Sequence, residues 1–469
     1  MQRRDQCFIV CYHLLSLIQL IFSTDYAIGL INRCLSLKIT IFDDINSKIH
    51  LLPSMKLGKY SFGIGDRFNH QGKAQLEALV LARKAGVEII PVWNKSNREH
   101  MIVKSTPQQT RQEADESVAA LKWHLPYFVD ADHINLVNVD KFIDHCDFFT
   151  IDVADYIGKK AVDEDLVDYL KENRHFIGKL KIPGLNESLN INEDTLIDFA
   201  MKFLNATQEA GKIYRYIKKR KAGKEFIPEV SMDEVMEPQT PAELFFILGA
   251  LAAQKIPLQT IAPKFTGRFN KGVDYKGNLA WFRKEFEEDL QVISYAIEFF
   301  GLPENLKLSV HSGSDKFSIY PIMGELIKKH NKGIHVKTAG TTWLEEVTGL
   351  ASATDEGLSL AKLIYKNAYE KKDELCKPYA TVIDIDESAL PDPSVTDKWD
   401  KSKFINALRN IPVNPEYNPN FRQLIHVGYK VAAELGEQYY TALHKYSSVI
   451  GKNVTENIFK RHIKRLFPI

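Results

Sequence analysis

Three segments of the chain set histidine beside acid or base: Asp130-Ala-Asp132-His133, His311-Ser-Gly-Ser-Asp315-Lys316 and His335-Val-Lys337. Neutral imidazole is the commonest ligand of a divalent metal, and a catalytic ion uses three protein ligands with one position left open. His133, His311 and His335 therefore form a candidate metal set. No HExxH-type spacing accompanies them. Each also has a plain reading as a hydrogen-bonded structural histidine, strongest for His335 inside an apolar strand. His100, His145 and His330 read as surface residues. Carboxylates supply candidate acids and bases. Glu229 interrupts the run Phe226–Ser231, where a carboxylate must be paired, hydrogen-bonded or metal-bound. Asp233 and Glu234 follow it. Asp152 in Thr150-Ile-Asp152-Val is similar, and a core ion pair with a lysine explains it equally well. Asp132 either pairs a base with His133 or caps a loop. Lys264, Arg268, Lys316 and Lys337 offer positive charge to an anionic substrate.

These side chains act together only if the fold delivers them to one place. Apolar runs at Tyr60–Gly65, Val87–Trp93, Tyr127–Val129, Phe148–Val153, Phe226–Ser231, Leu258–Pro263, Leu306–His311 and Gly333–Lys337 read as strands. Asp130–Leu136 reads as the exit loop of the third. Helical patterns alternate with them. Ala74–Ala85 stops at Gly86, Gln108–Lys122 follows the second strand, and Asp165–Asn173 and Glu193–Lys221 follow the fourth. The basic run Lys218–Lys221 suits a helix C-terminus. Thr240-Pro-Ala-Glu243 is a capping box with proline at the first helical position. Leu279–Phe300, Ile319–Lys329 and a helix from Trp343 complete the series. The alternation predicts an α/β chain folded as a (β/α)₈ TIM-type barrel with insertions and a C-terminal helical region. No GxGxxG or GxxxxGK[ST] follows a strand, which argues against a nucleotide-binding open sheet. In a barrel the chemistry sits at the C-terminal strand ends. That rule selects Asp66 and Arg67 after the first strand and His335 and Lys337 on one face of the eighth.

Composition bounds the function. Lys+Arg 61 against Asp+Glu 60 leaves a net charge of +1 over 469 residues, so no basic field gathers nucleic acid. Hydrophobic residues at 45% and charged residues at 26% suit a globular protein. Five cysteines without a CxxC pair argue for reduced thiols and a cytoplasmic setting. Residues 1–54 stand apart. Arg3 and Arg4 precede an apolar run, Phe8 to Phe22, that resembles a secretory signal but is interrupted by His13, Ser16 and Gln19. The simpler expectation is a misplaced start, with Met55 opening a single catalytic domain over 55–469. No membrane role is expected of that domain, and self-association is left open.

From Met55 onward the chain resembles the tagaturonate epimerase family of uronate catabolism. The resemblance rests on Lys59-Tyr-Ser-Phe-Gly-Ile-Gly-Asp66-Arg67-Phe, on Asp130-Ala-Asp132-His133 and on His311-Ser-Gly-Ser-Asp315-Lys316-Phe. It continues in His335-Val-Lys337-Thr-Ala-Gly-Thr341 and in the segment Asn414–Tyr429. It implies a metal-dependent enzyme interconverting D-tagaturonate and D-fructuronate, with a divalent cation (Zn, Mn, Co or Ni). Carried onto this chain, it points to His133, His311 and His335 as ligands, with Asp132 and Glu229 as acid and base. Arg67, Lys264, Arg268, Lys316 or Arg422 would grip the substrate carboxylate, with Asp66, Lys337 and His426 nearby. Arg422 and His426, four apart, could both face the mouth from one helix. The two sugars differ at a carbon β to the ketone, whose hydrogen the carbonyl does not acidify. Retro-aldol cleavage through an enediolate is therefore expected. Rival readings are a metal-dependent aldose–ketose isomerase, a class II aldolase, or a sugar-acid-binding barrel without turnover.

Overall fold

The computed structural model describes residues 55–469. The expectations for residues 1–54 lie outside them. The unit Lys56–Ile469 is built on a closed parallel barrel. Its strands are β1 (Tyr60–Ile64), β2 (Ile90–Ser96), β3 (Phe128–Ile134), β4 (Phe148–Asp152), β7 (Ile227–Ser231), β8 (Thr260–Ala262), β9 (Lys307–His311) and β10 (Ile334–Lys337). β10 closes on β1, with Lys337 opposite Gly63. A separate antiparallel hairpin, β5 (Gly178–Leu180) and β6 (Leu189–Ile191), sits in the insertion between β4 and β7. Strands covered on both faces read as continuous apolar runs, which is why the barrel strands stood out.

The helices between strands start and stop on local chemistry. Thr240 accepts the Glu243 N–H and Glu243 returns the bond, so the capping box opens Pro241–Ala253. Asn278 caps Leu279–Phe300, which ends at Gly301 with φ +66°, a conformation glycine adopts without strain. The C-terminal region does two jobs. Ser447–Glu456 packs on the outer helices Gly72–Lys84 and Ala339–Ala353. Pro419–Val427 carries His426 to the barrel mouth. No helix among the described residues is long and apolar enough to cross a membrane.

Some local readings differ from the structure. Asp130 and Asp132 lie within β3 rather than in an exit loop, because Lys337 neutralises them inside the barrel. The expected helix Glu193–Lys221 runs on without a break to Arg220 but widens to a π-helical stretch at Ala200–Leu204. The β5–β6 strands are too short to show alternation. The helix after β10 starts at Ala339, ahead of Trp343, where Gly340, Thr341 and Thr342 have weak helix propensity.

Candidate active site

The register of the strands decides which side chains share a level. His311 on β9 stands beside Lys337 on β10, whereas His335 stands beside Ser309, one inward level lower. Between Ala131 and Ile134 the pairing of β3 with β4 slips, and His133 takes φ +51°. In a regular strand adjacent residues face opposite ways. This irregularity lets Asp132 and His133 both line the cavity at the mouth.

The cavity has a volume of about 440 Å³. At its floor His133, Asp233 and His311 each present one ligand atom, all within 4.8 Å of one another. His311 Nδ1 lies 3.2 Å from Asp233 Oδ1, and His133 Nε2 lies 3.6 Å from the same oxygen. Neither nitrogen has a well-directed hydrogen bond, although both are buried. The opposite ring nitrogens are held. Asp132 Oδ1 lies 3.0 Å from His133 Nδ1, and Glu229 Oε1 lies 2.9 Å from His311 Nε2. A carboxylate on the far nitrogen fixes the tautomer in which the near nitrogen carries its lone pair toward a cation. The residues therefore fit a divalent metal: two imidazoles, one carboxylate and two supporting carboxylates. Nitrogen and oxygen donors of this kind suit zinc, manganese, cobalt or nickel.

Lys337 ties this floor together. Its ammonium reaches Asp130 Oδ2 at 2.7 Å, Glu229 Oε1 at 2.8 Å and Asp132 Oδ1 at 3.1 Å, and it also donates to Thr150. Burial alone would strip its proton, but Asp130, Glu229 and Asp132 outweigh that and hold it well above the ordinary lysine range. Burial likewise opposes ionisation of Asp132, Glu229 and Asp233. Lys337 reverses it for the first two and His311 for Asp233, so all three stay well below the usual carboxylate range. Asp130 differs, since burial prevails over Lys337 and pushes it up to about 6. Burial would lower His311, but Asp233 and Glu229 bring it up to about 9. Asp152 also lines the cavity, and burial raises its carboxyl. One of its oxygens accepts the Ala154 N–H at 3.0 Å.

Several expected residues sit elsewhere. His335 lies below the cavity, beside Phe148 and within 2.8 Å of Ser61 Oγ, and burial pushes it down to about 3. Asp233 stands with His133 and His311 in the place where His335 was expected. Glu229 is fully buried and does not line the cavity. It holds His311 at 2.9 Å and Lys337 at 2.8 Å from outside the cavity. Asp66 accepts the backbone N–H groups of Phe68, Asn69, His70 and Gln71 and shapes the loop after β1. Lys264 lies off the cavity, its backbone N–H donating to Gln239. Arg268 is exposed and pairs with Asp384. The Lys316 ammonium is spent on the carbonyls of Asn270 and Val273. Arg422 is buried against Asp315 at 2.7 Å and also donates to the Leu408 carbonyl. Lys337 lines the cavity but is committed to its carboxylates. Arg67 and His426 line it too. His100, expected at the surface, is buried against Ser105 Oγ. Sequence reasoning passed over Lys271, Asn94 and Asn138 as lining residues. Lys271 and Asn138 lie in loops, which carry no periodicity that would have marked them, and Asn94 falls in β2 one residue past the apolar run read as its strand.

A family profile described as tagaturonate epimerase matches residues 32–466, a span that begins ahead of Met55. The tagaturonate/fructuronate epimerase of Thermotoga maritima is 29% identical over 424 residues, 87% of this chain and 80% of its own length. The fructuronate-tagaturonate epimerase of Cohnella laeviribosi, solved as a complex with one glycerol, superposes with a TM-score of 0.72 at 22% identity. That match covers 88% of this chain and 82% of the other. Its native crystal structure gives a TM-score of 0.70. At this identity the structures show a shared barrel fold.

Proposed function

Because the chain belongs to the tagaturonate epimerase family and is thus an isomerase-type enzyme of carbohydrates, we propose that it interconverts D-tagaturonate and D-fructuronate at the barrel mouth. We further propose that it uses a divalent cation held by His133, Asp233 and His311. One observation carries the metal part. Two buried imidazole nitrogens without hydrogen bonds turn on one carboxylate, while Asp132 and Glu229 hold the far nitrogens. A cation bound there supplies Lewis-acid stabilisation of negative charge on the ketose oxygens. The free thiols Cys146 and Cys376 support a cytoplasmic setting.

The chain's own residues do the rest. The epimers differ at the carbon β to the ketone, so carbon–carbon cleavage is the accessible route. The β-hydroxyl proton leaves to a base, its oxygen becomes an aldehyde, and the electrons of the α–β bond pass into the enediolate. The aldehyde turns, the bond re-forms on its other face and the proton returns. Asp152 fits the proton-carrying role, because it faces the cavity and burial raises its carboxyl above its ordinary value. Asp132 is held ionised by Lys337 and His133 and serves to orient His133.

The test is dialysis against a chelator followed by addition of Zn²⁺, Mn²⁺, Co²⁺ or Ni²⁺. Activity falls on dialysis and returns with at least one ion. Full activity in the metal-free protein removes the cation from the scheme. A trapped aldehyde fragment, or a heavy-atom isotope effect at the α–β bond, supports cleavage. Exchange of the β hydrogen with solvent overturns it.

A further inference from the structure

Away from the metal-ligand set, the loop after β8, the ends of β9 and β10 and the helix Pro419–Val427 meet at a second part of the cavity wall. His426 is 1% exposed and both of its ring nitrogens lack a hydrogen-bond partner. A methyl group at Gly340 would fall 2.2 Å from His426 Nε2 and 2.4 Å from the Gly313 carbonyl oxygen, so the imidazole edge lies directly over that glycine. A Cβ added at Gly272 would stand 3.2 Å from His426 Cβ, so this glycine leaves the room that the side chain occupies. Arg67 fixes the backbone behind it, donating to the His426 carbonyl at 3.0 Å with its guanidinium over the Tyr429 ring. The ring is thus held on several sides and aimed into the cavity with nothing to bond.

The charges around it are uneven. Burial first, then Arg67, Lys271, Arg422 and Lys316, keep the imidazole neutral. Three of those cations are already answered. Arg67 pairs with Glu99, Arg422 with Asp315, and the Lys316 ammonium with backbone carbonyls. Lys271 is not. Its ammonium lies 3.6 Å from where a Cβ on Gly313 would stand, it lines the cavity, and no carboxylate of the described residues forms an ion pair with it. A half-buried cation beside a neutral imidazole with a free N–H is the complement of a carboxylate.

Resting on the epimerase reading above, we infer that Lys271 and His426 receive the carboxylate of the sugar acid, Lys271 as counter-charge and His426 as the second hydrogen-bond donor. The pair sets the preference for acid over neutral ketoses. This subsite anchors the end of the substrate remote from the ketone. The fragment that must turn during cleavage then carries its own tether, and the turn takes place about a fixed carboxylate.

The metal-loaded enzyme tests this. The wild type, Lys271→Met and Lys271→Arg are compared on D-tagaturonate and on D-tagatose, which has a hydroxymethyl group in place of the carboxylate. In Lys271→Met the ratio of kcat/KM for the acid to that for the neutral sugar falls about 30- to 100-fold, as expected for loss of a charge-assisted bond. The fall appears mainly in KM for the acid. Lys271→Arg restores most of the ratio. Metal content and the thermal midpoint, measured on the same preparations, show that the variants are folded and loaded. Equal losses on both sugars, or an unchanged ratio, overturn the inference while leaving the epimerase reading intact. A wild type that turns over no uronate overturns that reading itself, whatever the variants do.

Discussion

Glu229→Gln separates a proton-transfer group from a positioning one. Glu229 Oε1 faces His311 Nε2 at 2.9 Å, Lys337 Nζ at 2.8 Å and Thr150 Oγ1 at 3.1 Å, while Oε2 accepts from Thr260 Oγ1 at 2.7 Å. Glutamine must place its NH₂ at one of these positions. Toward Lys337 it would meet an ammonium and force His311 to change tautomer. Toward Thr260 it can donate to a hydroxyl oxygen, so the amide oxygen keeps the bonds to His311 and Lys337. What is lost is the negative charge. A charge-assisted bond weakened to a neutral one costs about 1 to 2 kcal/mol. Loss of the carboxylate behind a ligating histidine typically lowers metal affinity about 10- to 100-fold. Stability falls less than in Glu229→Ala, which also leaves His311 unsupported and a cavity beside Lys337, at about 3 to 5 kcal/mol. Zinc affinity is read by competition with a chromophoric chelator, stability by denaturant melts, and turnover at saturating metal. Since Glu229 does not touch the cavity, kcat at saturation stays within about threefold of wild type, against the 10²- to 10⁴-fold expected of an acid/base group. A collapse of kcat with unchanged zinc affinity would falsify the positioning role and return Glu229 to the proton-transfer role first read from the sequence.

Three further outcomes follow from the same geometry. Asp152→Asn lowers kcat about 10²- to 10⁴-fold with zinc affinity unchanged, and rapid-quench turnover of the loaded variant measures it; wild-type kcat in that variant excludes Asp152 as the proton carrier. Gly340→Ala displaces His426 and weakens uronate binding with little change in metal content, read by steady-state KM and metal analysis; an unchanged KM contradicts the close contact. The metal-free protein loses stability as pH rises. Against the pull of burial, Asp233 and Glu229 raise His311 to about 9 when folded from 6.5, so the stabilisation is complete below pH 6.5 and is lost as pH climbs through 9. The His311 share is about 3 kcal/mol over that window, seen as a falling thermal midpoint in chelator-treated samples; a flat midpoint, or the same slope in His311→Asn, refutes it.

The barrel was legible because its strands are buried on both faces and read as unbroken apolar runs, and because Thr240, Asn278 and Gly301 mark helix ends by local chemistry. The site was legible only in part, for a geometric reason. Side-chain alternation placed His335 and Lys337 on one face, and they are. Alternation fixes the face and leaves the depth open. Two residues along a strand amount to about 6.6 Å, enough to move an imidazole from the mouth to the layer beneath. Depth follows from register with the next strand, where Lys337, not His335, meets His311. Asp233, the third member of the proposed metal set, stands two residues past the end of β7, where only the path of the loop decides whether a side chain turns inward. Buried charge misled in the opposite direction. Glu229 looked functional because an ion inside an apolar run demands an explanation, Lys316 and Arg422 because they offered charge to a substrate carboxylate, and each instead meets a partner far along the chain. Among the cavity-lining residues, His133 Nε2, His311 Nδ1, Asn94 Oδ1 and both nitrogens of His426 are left unsatisfied by the protein and are open to a cation or to substrate. An unanswered polar atom at a cavity wall marks function more sharply than residue type, because leaving it unpaired costs folding energy that a bound ligand recovers.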